Sequence, residues 1–233
     1  MRSSSKNRFF TLAFKNSAQS ILEYVRRVSQ FRSGQIKKNH EIGRWIEFLA
    51  SLSTVNNIVE IGTWNGRGSS QAIIRGVNSR SKASRAAVKV IGYEINPKMI
   101  QKARKALKRH SFFDVVFGSI VRVEELDRIE LDATEISWLE QDEIWIRNAP
   151  NVLSTVPLDI DLLILDGGEF STFAEFKLLN ARVRGWIILD DTRTRKCEGI
   201  VRLAQQDKCF QIIYQSDERH GTAILKRVDL ENG

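Results

Sequence analysis

The chain has 233 residues, 42% of them hydrophobic, and 36 Lys and Arg against 28 Asp and Glu, for a formal net charge of +8. That length suits one domain with at most a small appendage, and the apolar fraction allows a sizeable core. No apolar run reaches the roughly 18–20 residues of a membrane span, no secretory h-region opens the chain, and Cys197 and Cys209 have neither zinc-ligand spacing nor the number for a disulfide framework, so a cytoplasmic location is the expectation.

Residues 1–40 carry nine basic side chains and one acid, Glu23, which accounts for the whole net charge. Residues 1–16 read as a basic, flexible tail, and 17–233 as a single domain. Its first part, 17–52, reads as two amphipathic helices. One covers 17–31 with Ile21, Leu22, Val25 and Val28 at helical spacing, and one covers about 40–52 with Ile42, Trp45, Ile46 and Leu49 on one face. Short apolar runs then alternate with helical segments. The runs are Asn57–Ile61, Val88–Tyr93, Phe113–Phe117, Leu162–Leu165, Trp186–Leu189, Phe210–Tyr214 and Thr222–Leu225, with helices expected near 69–77, 97–109, 172–181 and 198–206. This alternation predicts a doubly wound α/β fold: a seven-stranded, mostly parallel sheet closed by an antiparallel C-terminal hairpin. Residues 120–158 exceed one βα unit and read as an insertion. Its Trp138 and Trp145, like Trp186, are expected in the core.

Charge is polarised along the domain. From Arg75 to Arg109 there are eleven basic residues and one acid, Glu94; from Glu124 to Glu143 there are nine acids and one base, Arg128. Such polarity can steer an anionic partner. It equally describes a solvated helix face.

The first strand runs into Glu60-Ile61-Gly62-Thr63-Trp64-Asn65-Gly66-Arg67-Gly68-Ser69. Glycines here allow a tight turn and close approach of backbone N–H groups to a ligand. The spacing is G-x-x-x-G-x-G, wider than the pyrophosphate-binding G-x-G-x-x-G, and suits a ligand without phosphate. The second strand ends in Glu94, where a doubly wound fold places a carboxylate on ribose hydroxyls. The polar stretch Asn78–Arg85 lengthens the connection and reads as a loop. Glu94 could also simply favour the helix opening at Asn96-Pro97. Asp166 ends the fourth strand, and Asp190-Asp191 end the fifth. Parallel neighbours would bring these three acids together, where they repel unless protonated or matched by a cation. All-oxygen ligation favours Mg²⁺ or another divalent cation. The alternative is that Asp190 or Asp191 caps the helix starting near Lys196, leaving Asp166 alone in the cleft.

The glycine loop with Glu94 resembles the class I S-adenosylmethionine (SAM) dependent methyltransferases. The Asp166-Gly167 and Asp190-Asp191-Thr192 pattern resembles their metal-dependent O-methyltransferase branch, the catechol and caffeoyl-CoA enzymes, and a related bacterial group acting on small molecules. The resemblance spans roughly 40–227. It implies SAM held by Glu60, Gly62, Trp64, Gly66, Gly68, Ser69, Glu94, Ser119 and Asp166, a metal on Asp166, Asp190 and Asp191, and methyl transfer to a hydroxyl of a small molecule. Three positions after the fourth-strand acid, where relatives carry a Lys or His base, this chain has Glu169. Asp166 and Glu169 are therefore the candidate catalytic pair, with His220 a further candidate base and Cys197 a residue that could face the cleft. A nucleic-acid methyltransferase or binding protein using the basic N-terminal region is the alternative. It is weakened by Asp166-Gly167-Gly168-Glu169 standing where an Asn-Pro-Pro-Tyr-type motif would be, and by the lack of an aromatic stacking platform. A non-catalytic or aminopropyl-transferring protein of the same fold, and a homodimer, also stay open.

Overall fold

The seven apolar runs become seven strands of one sheet: β1 (Asn57–Ile61), β2 (Lys89–Glu94), β3 (Phe113–Phe117), β4 (Ile160–Leu165), β5 (Val183–Asp190), β6 (Phe210–Ser216) and β7 (Thr222–Arg227). The computed structural model describes residues 36–126, 128 and 131–228; the tail and the helix expected over 17–31 lie outside them. Strand order is β3-β2-β1-β4-β5-β7-β6. The first five strands pair in parallel, and β7 enters antiparallel between β5 and β6. In β4, Ile160, Leu162, Leu163, Ile164 and Leu165 are all buried, as expected of a central parallel strand covered on both faces.

Helices α1 (Glu41–Ser51), α2 (Ser69–Asn78), α3 (Lys82–Ala86), α4 (Pro97–Leu107), α5 (Ala133–Asn148), α6 (Ser171–Leu179) and α7 (Arg195–Gln206) cover the sheet. One core layer joins Ile42, Trp45 and Leu49 of α1 with Ile73 and Val77 of α2. The other joins Leu163 and Leu165 with Phe176, Leu179 and Ile200. No helix among the described residues is long and apolar enough to cross a membrane.

Three sequence expectations change. The polar stretch after α2 is not all loop: Ser81 caps a short helix, its hydroxyl accepting the Ser84 N–H at 3.2 Å. Trp138 is 51% exposed, because the buried stripe of α5 runs through Leu139, Asp142 and Ile146 and Trp138 falls one residue outside it. Trp145 and Trp186 are only partly buried, the latter packing on the core edge under the Lys226 ammonium, 5.5 Å from the ring. Arg80, one of the eleven basic residues, is itself buried. It donates to the carbonyls of Ala50 (2.6 and 2.8 Å) and Val55 (2.5 Å) and to Asn56 Oδ1 at 3.2 Å.

Candidate active site

The chain runs from β1 outward to β2 and β3, then returns across β1 to β4. The loops after β1 and β4 therefore leave in opposite directions, which opens a crevice at the strand ends. Register aligns those ends: Ile61 pairs with Tyr93 and with Leu165, Leu165 with Leu189, and Glu94 with Phe117. A cleft of 330 Å³ lies there, and Gly62, Trp64, Gly68, Ser69, Glu94, Ser119 and Asp166 line it.

The loop is held from below. Gly62 has φ +86°, and a Cβ there would stand 2.0 Å from the Asp166 carbonyl oxygen, so no side chain fits. The Gly62 and Thr63 N–H groups both donate to the Tyr93 carbonyl, at 3.0 and 3.1 Å. Trp64 takes a left-handed backbone, φ 50°, rare for a bulky residue, and its N–H donates to Glu94 Oε2 at 2.5 Å. The Asn96 N–H donates to Oε1 at 2.7 Å. Burial raises the Glu94 carboxyl above the ordinary range, while each oxygen keeps lone pairs for a ligand.

Glu60 and Gly66 are not among the lining residues. Glu60 is fully buried beneath the loop, where it accepts the Ser70 hydroxyl at 2.8 Å. Burial pushes its carboxyl up to about 7. Gly66 packs against Leu107 of α4. Ser119 reaches the cleft, but its hydroxyl donates to the Val121 carbonyl at 2.7 Å.

Asp166, Asp190 and Asp191 do converge, each offering an oxygen within 4.8 Å of the others. Two cations meet them. Lys196, 5% exposed, donates from Nζ to Asp166 Oδ1 at 2.5 Å and to Asp191 Oδ2 at 3.1 Å. Arg219, from the β6–β7 loop, forks onto Asp190 with Nε–Oδ1 at 3.2 Å and Nη2–Oδ2 at 3.0 Å. Burial first, then the two neighbouring carboxylates, pushes Asp190 up to about 7. Of the three acids, only Asp166 is among the residues lining the cleft.

Glu169 is not among the lining residues either. Its Oε1 accepts the Lys196 N–H at 3.2 Å, so it satisfies a free donor in the first turn of α7, the post the sequence offered to Asp190 or Asp191. His220 is exposed on the hairpin loop. Cys197 does not face the cleft: it packs in the core, and burial pushes its thiol up, away from nucleophile chemistry.

Four polar residues of the site went unnoticed in the sequence: Lys196, Arg219, Asp142 and Glu175. Asp142 of α5 lines the cleft and accepts the Phe170 N–H at 3.0 Å. A Cβ on Gly168 would stand 2.6 Å from its Oδ2. Glu175 of α6 also lines the cleft; burial pushes it up to about 8, and its Oε2 has no hydrogen-bond partner among the described residues. Asp142 was legible in principle, three residues after Leu139 and four before Ile146 on the buried stripe.

No family model matches the chain, and no curated protein does. Solved structures match along nearly its whole length. A methyltransferase from Geobacter sulfurreducens is 13% identical, with a TM-score of 0.55 and 97% of each chain covered. An O-methyltransferase from Bacillus cereus in complex with S-adenosylhomocysteine (SAH) is 18% identical, with a TM-score of 0.54 over 91% of this chain and 90% of that one. An O-methyltransferase from Streptomyces achromogenes in complex with SAM is 13% identical, with a TM-score of 0.53 over 97% of this chain and 100% of that one. The chain has the fold of these methyltransferases.

Proposed function

We propose that the chain is a SAM-dependent methyltransferase acting on a hydroxyl of a small molecule. The observation that carries this is Glu94: a buried carboxylate at the tip of β2, lining the switch-point cleft and bonded to the glycine loop through Trp64 N–H. A carboxylate there suits two ribose hydroxyls, and a loop without pyrophosphate spacing suits a sulfonium ligand. The SAM- and SAH-bound structures of the same fold support the reading. Ser69 and the loop would hold the methionine part, and Ser119 would lie near the adenine. Trp145, Ile146 and Asp142 also line the cleft, and an acceptor would stand against them.

The reaction needs little covalent help. The acceptor oxygen attacks the sulfonium methyl in line, the C–O bond forms as the C–S bond breaks, and SAH leaves. The hydroxyl proton passes to Asp166, the acid of the cluster that lines the cleft. The protein chiefly supplies positioning. The three acids alone would suit Mg²⁺ or another divalent cation, but as donors they do not fit one here. Both Asp190 oxygens bond to Arg219, and Asp166 and Asp191 share the Lys196 ammonium. Nor does the basic stretch favour nucleic acid: Arg80 is structural, and the Lys and Arg of α4 form the solvated side of an amphipathic helix.

Isothermal titration of the full chain with SAH tests the reading. Saturable 1:1 binding is expected, weakened about tenfold or more in Glu94→Gln, which loses charge-assisted bonds to the ribose. No binding by the folded wild type overturns the proposal, as does undiminished binding by the variant.

A further inference from the structure

We infer that Lys196 and Arg219 are the resident cations of the Asp166–Asp190–Asp191 cluster, so that the site works without a divalent metal. Three carboxylates this close repel unless protonated or met by positive charge, and the fold supplies that charge from two separate elements. Lys196 stands in the first turn of α7, its backbone N–H fixed by Glu169 and its ammonium buried between two of the acids. An ammonium has three donors, and two are spent here. Arg219 comes from the far hairpin, and its planar fork matches the third carboxylate in the bidentate manner that Lys cannot reproduce. Asp191 Oδ1 has no hydrogen-bond partner among the described residues, but a metal ion drawn to it would meet the buried Lys196 ammonium already seated between Asp166 and Asp191 and both Asp190 oxygens already taken by Arg219.

The arrangement also gives Lys196 a positioning role. Its ammonium fixes one oxygen of Asp166 at the cleft edge and leaves the other for a proton. That role rests on the methyl-transfer reading; the occupancy of the cluster does not, and a separate measurement reads it.

The test is Mn²⁺ titration of the full chain followed by electron paramagnetic resonance, with SAH calorimetry on the same sample. The wild type is expected to show no stoichiometric Mn²⁺ binding up to roughly millimolar metal, the weak end of carboxylate sites. Lys196→Met, which keeps the stem and removes the charge, is expected to bind Mn²⁺ at least about tenfold more tightly than wild type. Adding Asp191→Asn, which removes one of the two acids that Lys196 releases, should remove that gain. Micromolar Mn²⁺ binding by the wild type, abolished by Asp166→Asn, overturns the inference. So does a folded Lys196→Met that gains no affinity. Should Lys196→Met fail to fold, Lys196→Arg keeps the charge and is expected to stay metal-free; stoichiometric Mn²⁺ binding by it counts against the inference. Absent SAH binding with the expected Mn²⁺ pattern removes the methyltransferase reading and leaves the resident cations standing.

Discussion

Gly62 shows most directly how a single residue fixes this site. Its left-handed φ and the 2.0 Å gap to the Asp166 carbonyl leave no space for a methyl group. Gly62→Ala is expected to lower stability by about 1–3 kcal/mol and to abolish SAH binding, because the loop must move off the end of β4. Chemical melts and calorimetry check both, and a variant that binds SAH normally would show that the loop has slack. Glu94 and Asp166 were legible in the sequence because an acid ending an apolar strand has one place to go. Glu175 was not. A carboxylate on the buried face of a helix looks like a break in the apolar pattern until the cleft beside it is seen. Lys196 was illegible for another reason: its meaning depends on where α7 starts relative to β4 and β5, and periodicity does not report that.

Among the elements, strands were easier to read than connections. A strand such as β4 is apolar on both faces and bounded by polar residues, so its place follows from composition. The orientation of α5 does not, since a one-residue rotation decides whether Trp138 or Leu139 is buried. The segment after α2 illustrates a second limit. Its Arg80 counted as surface charge in the sequence, yet it ties the end of α1 and the entry to β1 through three carbonyl bonds and Asn56. Arg80→Met is expected to destabilise the fold by about 3 kcal/mol, since buried acceptors left unpaired cost about 1–3 kcal/mol each. Urea unfolding measures this, and SAH affinity should hardly change, because Arg80 is not among the residues lining the cleft. A loss below about 0.5 kcal/mol, the range of ordinary surface substitutions, would mean that water replaces the guanidinium.

Across the whole molecule, buried carboxyls set the response to pH, Asp190 of the acid cluster among them, pushed up to about 7. Glu60 is pushed up to about 7 and Glu175 to about 8, both by burial, from an ordinary 4.5. In that window the folded chain holds more protons than the unfolded one, so these groups make stability fall as pH rises from 4.5 through about 8. Thermal melts across the window should show this fall, and Glu175→Gln, which cannot ionise, should flatten its upper part. An unchanged slope in the variant would place the proton elsewhere.

Backbone strain is distributed as unevenly as charge. Among the described residues, the non-glycine residues with left-handed backbones are Trp64, Asp191 and Arg219, and all three belong to the glycine loop or to the acid cluster and the cations that meet it. Each such conformation costs on the order of 1 kcal/mol or more. The obvious route to a hardier protein, glycine at strained positions, therefore runs through the residues that bind Glu94, Lys196 and Asp190. Engineering for heat resistance has to begin elsewhere, in the helices and the polar surface, because here the strained residues are those of the proposed site.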